Sequence, residues 1–155
     1  KEYAALTGKE TVLDLYCGAG TIGLSMAKNA KEIIGVEIVP EAIEDAKINA
    51  EINSINNARF ICGDAAQAAE ILKSEGVKPD VIILDPPRKG CSPEMLKIAT
   101  EMNPDRIVYV SCDPATLARD CGIFSELGYT AAKATPVDMF PRTGHVETVC
   151  LLSKQ

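Results

Sequence analysis

Thr11-Val12-Leu13-Asp14-Leu15-Tyr16-Cys17-Gly18-Ala19-Gly20-Thr21-Ile22-Gly23 is an apolar run that breaks into glycines and then into a helix-like segment. Five residues of mostly β-favouring character read as a buried strand. Gly18 and Gly20 let the backbone turn tightly and bring N–H groups against a ligand, with a helix N-terminus behind them. A strand, a glycine turn and a helix in that order form the first half of a βαβ unit.

The same alternation continues outward from this stretch. Strands are predicted at Thr11–Leu15, Glu32–Glu37, Ala58–Cys62, Asp80–Leu84, Arg106–Ser111, Thr130–Val137 and Val146–Leu152. Helices are predicted between them at Thr21–Ala30, Pro40–Asn53, Ala65–Ser74, Pro93–Met102 and Pro114–Leu127. Pro40, Ser92-Pro93 and Asp113-Pro114 mark helix starts, and Gly128 marks a stop. In the second helix Ile43, Ala46 and Ala50 keep one apolar stripe while Glu41, Glu44, Asp45 and Glu51 face away. Such a pattern predicts an α/β domain with right-handed crossovers and a mostly parallel seven-stranded sheet covered on both faces. Only Asp138–His145 separates the last two strands, too short for a crossover helix, so they should pair antiparallel. No linker or repeat divides residues 1–155, which read as one domain.

Acids stand at successive strand ends, where ligands of such sheets bind. Glu37 ends the second strand, placed to accept both hydroxyls of a ribose, and Asp64 follows the third in Cys62-Gly63-Asp64, facing an adenine amino group. Two cofactors fit this plan. A dinucleotide would rest its pyrophosphate on the glycine turn; S-adenosyl-L-methionine would place its amino group on an acid of the first strand. Asp14 supplies that acid and favours S-adenosylmethionine.

The fourth strand ends in Asp85-Pro86-Pro87-Arg88-Lys89-Gly90. Paired prolines fix where Asp85 points. An acid, two prolines and an aromatic would suggest methylation of an exocyclic amine, but Arg88 cannot provide a stacking face; Arg88 and Lys89 could instead meet phosphates. The fifth strand delivers Cys112 to the crevice beside a helix N-terminus, a setting that favours a nucleophilic thiol. Glu147, at the start of the last strand, is a candidate general base once paired with such a Cys.

The net charge is −6, from 16 basic and 22 acidic residues. A domain that held nucleic acid by its overall field would be basic, so any such partner must meet a local patch or another part of the protein. Hydrophobic residues make up 46% of the chain, enough for a packed core, which excludes disordered and fibrous classes. The six cysteines form no C-x-x-C pair, and with His145 the only histidine there is no zinc set. They read as reduced and mostly buried, as expected in the cytoplasm. No run is long enough to span a membrane.

The stretches LDLYCGAGTIGL, GVEIVPEAIEDAKINAEIN, DVIILDPPRKG, YVSCDPATLARD and DMFPRTGHVETV resemble the catalytic domain of RNA uracil-C5 methyltransferases, which make 5-methyluridine. The resemblance spans nearly the whole chain. It implies a Rossmann-like class I fold and S-adenosyl-L-methionine as cofactor, with no metal in this part. It also implies RNA as substrate, ribosomal RNA favoured over transfer RNA. By the same resemblance Cys112 is the nucleophile that adds to C6 of uracil, and Glu147 removes the C5 proton. Asp85 lies at the junction of cofactor and uracil, and Asp14, Gly18, Gly20, Glu37 and Asp64 form the cofactor site. Arg142 occupies a position where His is usual, near the RNA with Arg88. Family members carry an N-terminal RNA-binding module and a central insertion, so residues 1–155 are expected to be the C-terminal catalytic part of a longer enzyme. Some members hold an iron–sulfur cluster, for which the cysteines here lack the clustered spacing. Open alternatives are an amine methyltransferase, a cofactor- or RNA-binding module without catalysis, and, disfavoured by Asp14, a nicotinamide oxidoreductase.

Overall fold

Seven strands alternate with five α-helices through residues 1–155, all described by a computed structural model. They are β1 (Thr11–Leu15), α1 (Thr21–Met26), β2 (Glu32–Glu37), α2 (Pro40–Ile52), β3 (Ala58–Cys62), α3 (Ala65–Ser74) and β4 (Val81–Leu84). Then follow α4 (Pro93–Glu101), β5 (Arg106–Ser111), α5 (Pro114–Glu126), β6 (Tyr129–Val137) and β7 (Glu147–Lys154). The strands form one sheet in the order β3-β2-β1-β4-β5-β7-β6. Six run in one direction, and β7 alone is reversed, antiparallel to both its neighbours β5 and β6.

Every predicted strand and helix is present, with corrected ends. The first helix is not continuous to Ala30: it gives way to a 3-10 turn at Ala27–Asn29. Asn57 donates to the carbonyls of Ala27 (2.8 Å) and Ala30 (3.0 Å), drawing the turn tight from outside the helix. The last strand starts at Glu147 and runs to Lys154, because its ladder with β6 continues to the Tyr129–Lys154 pair. Gly128 adopts φ 87, the left-handed stop expected of it.

The alternation of side chains along each strand divides the core in two. Leu13, Leu15, Ile34, Val36, Ile82, Leu84, Ile107 and Tyr109 face α3, α4 and α5, packing on Leu72, Leu96 and Phe124. Val12, Ile33, Val81, Ile83 and Val108 face the opposite way, against Met26, Ala27 and the N-terminal Tyr3 and Ala4. In α2 the buried residues are Ile43, Ala46 and Ala50, the stripe read from the sequence. All six cysteines are free: Cys17, Cys91 and Cys150 buried, Cys112 and Cys121 half-buried, Cys62 exposed.

Candidate active site

The glycine turn begins with Tyr16 at φ 65 and closes with Gly20 at φ 80, the residue that caps α1. A Cβ on Gly20 would stand 2.9 Å from Leu24 Cδ1, so both its conformation and its close approach require glycine. Asp14, 1% exposed, accepts a hydrogen bond from the Gly23 N–H at 2.8 Å through Oδ2. Its Oδ1 is buried with no partner. Burial lifts the Asp14 pKa to about 7; the Gly23 N–H opposes the rise and the nearby Asp85 adds to it. A buried acceptor without a donor fits an incoming ammonium.

Glu37 folds back on the turn. Its Oε2 accepts from the Gly18 N–H at 3.2 Å, and its Oε1 accepts from Ile38 (2.8 Å) and Val39 (3.1 Å). Beside it opens a cavity of about 280 Å³ that Glu37 and Asp64 line together with Tyr16, Ile38, Ala65 and Met95. One oxygen of Asp64 caps α3 by accepting from the Gln67 N–H at 2.9 Å, in a reciprocal capping box. Its other oxygen makes no protein hydrogen bond. Carboxylates at one end and exposed Ile38 over an apolar wall suit a ribose and a flat heterocycle. Asp14, Gly18 and Gly20 do not line this cavity, which the glycine turn reaches through Tyr16.

A second group gathers further along the sheet. Strand alternation sends Val12 and Asp14, Ile83, Val108, and Leu151 and Glu147 to one face, that of α1, while Asp85 and Cys112 follow the ends of β4 and β5. β5 and β7 pair up to Ser111 opposite Thr148. Cys112 follows the last residue of β5 and Glu147 is the first residue of β7, each next to that final pair. Asp85, just past β4, has its pKa raised by desolvation. Glu147 is raised by desolvation first and by the charge of Asp85 second. Asp85 thus stands between Asp14 and Glu147, felt by both. Cys112 itself is half-buried and followed by Asp113, whose carboxylate caps α5 by accepting from Ala115 (2.9 Å) and Thr116 (3.0 Å).

Arg88 and Arg142 are exposed and form no ion pair. They lie on separate loops. Arg142 has φ 67 in the loop between β6 and β7, where the Thr143 N–H and hydroxyl both donate to the Phe140 carbonyl. In the same loop the His145 ring meets Phe140 edge-on at 6.4 Å. The pKa of the Asp113 carboxyl is lowered chiefly by the Thr116 N–H, against a small desolvation, with Ala115 and the charge of His145 adding to the fall.

Sequence reasoning missed Tyr16 and Ile38, which line the cavity. It also missed Asp120, fully buried on α5. A signal for Asp120 existed: it falls on the apolar stripe between Leu117 and Phe124, where an acid needs a reason.

Residues 3–155 match the family profile described as tRNA (Uracil-5-)-methyltransferase. A Clostridium acetobutylicum protein named as an uncharacterized RNA methyltransferase is 56% identical over 153 residues, 99% of this chain and 33% of the relative. One of the same description from Enterococcus faecalis is 52% identical over 154 residues, 99% of this chain and 34% of the relative. The chain thus spans about a third of the length of the curated relatives it matches. Among solved structures, the Pyrococcus abyssi tRNA (uracil-54, C5)-methyltransferase in complex with S-adenosyl-L-homocysteine superposes with a TM-score of 0.80 at 36% identity. That match covers 97% of this chain and 36% of the other. The precorrin-6y C5,15-methyltransferase of Geobacter metallireducens also scores 0.80, at 13% identity, over 99% of this chain and 85% of its own, a likeness of fold alone. With its profile matched from Tyr3 to Gln155, the chain belongs to the tRNA (uracil-5-)-methyltransferase family.

Proposed function

We propose that this chain is the catalytic part of an enzyme that transfers a methyl group from S-adenosyl-L-methionine to C5 of a uridine in RNA. One observation carries the proposal: the last β5–β7 pair, Ser111 opposite Thr148, is flanked by a half-buried thiol, Cys112, and a carboxylate, Glu147, with Asp85 just past the neighbouring strand β4. A thiol with a base near it is what pyrimidine C5 chemistry needs.

Carbon 5 of uracil is too weak a nucleophile to react unaided. The Cys112 sulfur adds to C6, and the C5–C6 π electrons move toward O4 as an enolate, leaving C5 electron-rich. S-adenosylmethionine, when bound, supplies an electrophilic methyl that C5 accepts. Glu147 then takes the C5 proton; the C–H electrons restore the C5–C6 double bond and expel the Cys112 thiolate. Its raised pKa makes Glu147 a better proton acceptor than a free carboxylate, as a general base requires. Toward the cofactor, the unpartnered Asp14 oxygen would take the amino group, Glu37 the ribose and the free oxygen of Asp64 the adenine, with Gly18 and Gly20 shaping the turn. A target base must leave its stack to reach a site of this kind. Arg88 and Arg142 are assigned to RNA phosphates beside it. RNA-binding parts beyond these residues are expected to complete the enzyme. The reduced cysteines suit the cytoplasm, and no helix is long and apolar enough to cross a membrane.

The test uses the full-length protein and RNA carrying 5-fluorouridine, whose C5 cannot release a proton. Wild type should form a covalent adduct that survives a denaturing gel, and Cys112→Ala should form none while still binding S-adenosylmethionine. Glu147→Gln should lose about 10²- to 10⁴-fold in turnover and hold unsubstituted RNA as an adduct. Methylation by Cys112→Ala at the wild-type rate would refute the mechanism. Mass spectrometry of ribosomal and transfer RNA from cells lacking the gene identifies the substrate, with ribosomal RNA expected to lose 5-methyluridine.

A further inference from the structure

We propose that Asp120 is a positioning residue: through Arg119 it clamps the Pro86–Cys91 turn onto α5 and so sets Asp85 and Arg88 against Cys112. The proposal rests on the uridine-methylating reading of the site.

Asp120 is 0% exposed, between Leu117 and Phe124 on the buried stripe of α5. A carboxylate there is costly unless its lone pairs are occupied. They are. Oδ2 accepts from the Tyr109 hydroxyl at 2.6 Å and from the Cys91 N–H at 2.9 Å. Oδ1 accepts from Arg119 Nε at 2.8 Å and lies 2.6 Å from Arg119 Nη2. Helix α5 has no need of this acid for its own packing, since an apolar side chain would continue the stripe.

What the acid secures is the turn after Asp85. Arg119 Nη2 donates to the carbonyls of Lys89 (3.0 Å) and Cys91 (3.2 Å), and the Thr116 hydroxyl donates to that of Arg88 (3.2 Å). At Arg88 and Lys89 every hold is to the backbone, so the charged ends of both side chains stay free to face outward. Gly90 completes the fit: at φ +71, a Cβ on it would lie 2.6 Å from both Arg119 Nη2 and Asp120 Oδ2.

Both ends of the clamp adjoin the site. Asp85 immediately precedes the clamped turn, and Cys112 immediately precedes the Asp113 that caps α5. Tyr109 belongs to β5, three residues before Cys112. Asp120 therefore joins β5, α5 and the turn after β4 at one point, and the separation of Asp85 from Cys112 depends on it. The cavity beside Glu37 and Asp64 includes none of Asp120, Arg119 or Tyr109, and the residues that reach it after the turn, Ser92 and Met95, are held by the start of α4, so cofactor binding should feel the clamp far less than the thiol does.

The experiment compares full-length wild type with Asp120→Asn, Arg119→Ala and the double variant. In Asp120→Asn the amide oxygen can still serve Tyr109 and Cys91, while its NH₂ faces the Arg119 guanidinium, donor against donor. Arg119→Ala removes the same arm and with it the protein partner of Asp120 Oδ1, but the half-exposed position it vacates should let water reach that oxygen. Each single variant should lose about 10- to 100-fold in kcat and in the rate of adduct formation with 5-fluorouridine RNA. The KM for S-adenosylmethionine should stay within about twofold, and the double variant should be no worse than the poorer single, because both break one arm. Singles within twofold of the wild-type kcat would overturn the proposal. So would a parallel fall in kcat, cofactor affinity and melting temperature, which is the signature of a purely structural acid. A wild-type protein that forms no adduct would instead remove the uridine-methylating reading, and with it this proposal.

Discussion

Asp14 combines two features that ordinarily exclude each other, a carboxyl group withdrawn from water and an oxygen with nothing to accept from. Its pKa of about 7 against an ordinary 3.8 means that the folded chain holds a proton there which the unfolded chain has released. Between these values the native state binds more protons, so stability falls as pH rises. The contribution is intact below the unfolded pKa and is lost as pH passes through about 7. Asp14→Asn keeps an acceptor for the Gly23 N–H and removes the buried charge. In urea unfolding without cofactor, the variant should exceed wild type at pH 8 by about 2–4 kcal/mol and lose that advantage at pH 4. An equal decline with pH in both proteins would assign the slope to other groups. S-adenosylmethionine should bind the Asn variant more weakly, since an amide offers its ammonium no charge. At this scale the sequence was informative where chemistry leaves a type-specific mark: a Cys at a strand end, an acid on the first strand. It was silent on Tyr16 and Ile38, whose exposure on a cavity wall depends on where the neighbouring strands and helices stop.

Helix α5 links more of the molecule than its length suggests. Its Asp113 cap adjoins Cys112, Asp120 grips the turn after β4, and Phe124 fills the space under β5 and β6. Phe124 is 0% exposed and meets Tyr109 and Tyr129 edge-on, at 6.4 and 6.5 Å. Truncation leaves a cavity between two strands that cannot easily close around it. Phe124→Ala should destabilise the protein by about 3–5 kcal/mol, read as a lower urea midpoint with an unchanged denaturant slope. A loss below about 1 kcal/mol would show that the aromatic cluster can repack. Element positions were legible because β-branched runs, N-cap–Pro pairs and Gly128 are local signals. Two things were not local. The early end of α1 is tied by Asn57, roughly thirty residues away in sequence. The insertion of β7 between β5 and β6 is a choice of neighbours that a hairpin-length loop leaves open, since it shows only that β6 and β7 pair.

Across the whole molecule, charge and coverage bear on the RNA binding proposed above. The chain is acidic by six charges, and the sheet ends in β6, exposed at eight of its nine residues, with Lys133 and Pro136 guarding the edge. Curated relatives are about three times as long. Free cations near the crevice are few: Arg88 and Lys89 after β4, and Arg142 in the loop before β7. Binding to single-stranded RNA loses counterions in proportion to the phosphates neutralised, with a slope of log K on log salt of about −0.7 per contact. Three such cations allow a slope no steeper than about −2 for residues 1–155 alone. The same residues hold the glycine turn, Glu37 and the cavity beside it, so their cofactor affinity should stay within about threefold of the full-length protein's, since linkage leaves a site unchanged when nothing added touches it. Calorimetry with S-adenosylmethionine and salt-dependent RNA binding, on the 155-residue chain and the full-length protein, should therefore separate the two partners. The short chain should keep its cofactor, bind RNA weakly with the shallow slope, and turn over poorly. A slope beyond about −4 from the short chain would mean that this acidic domain carries its own RNA-binding face.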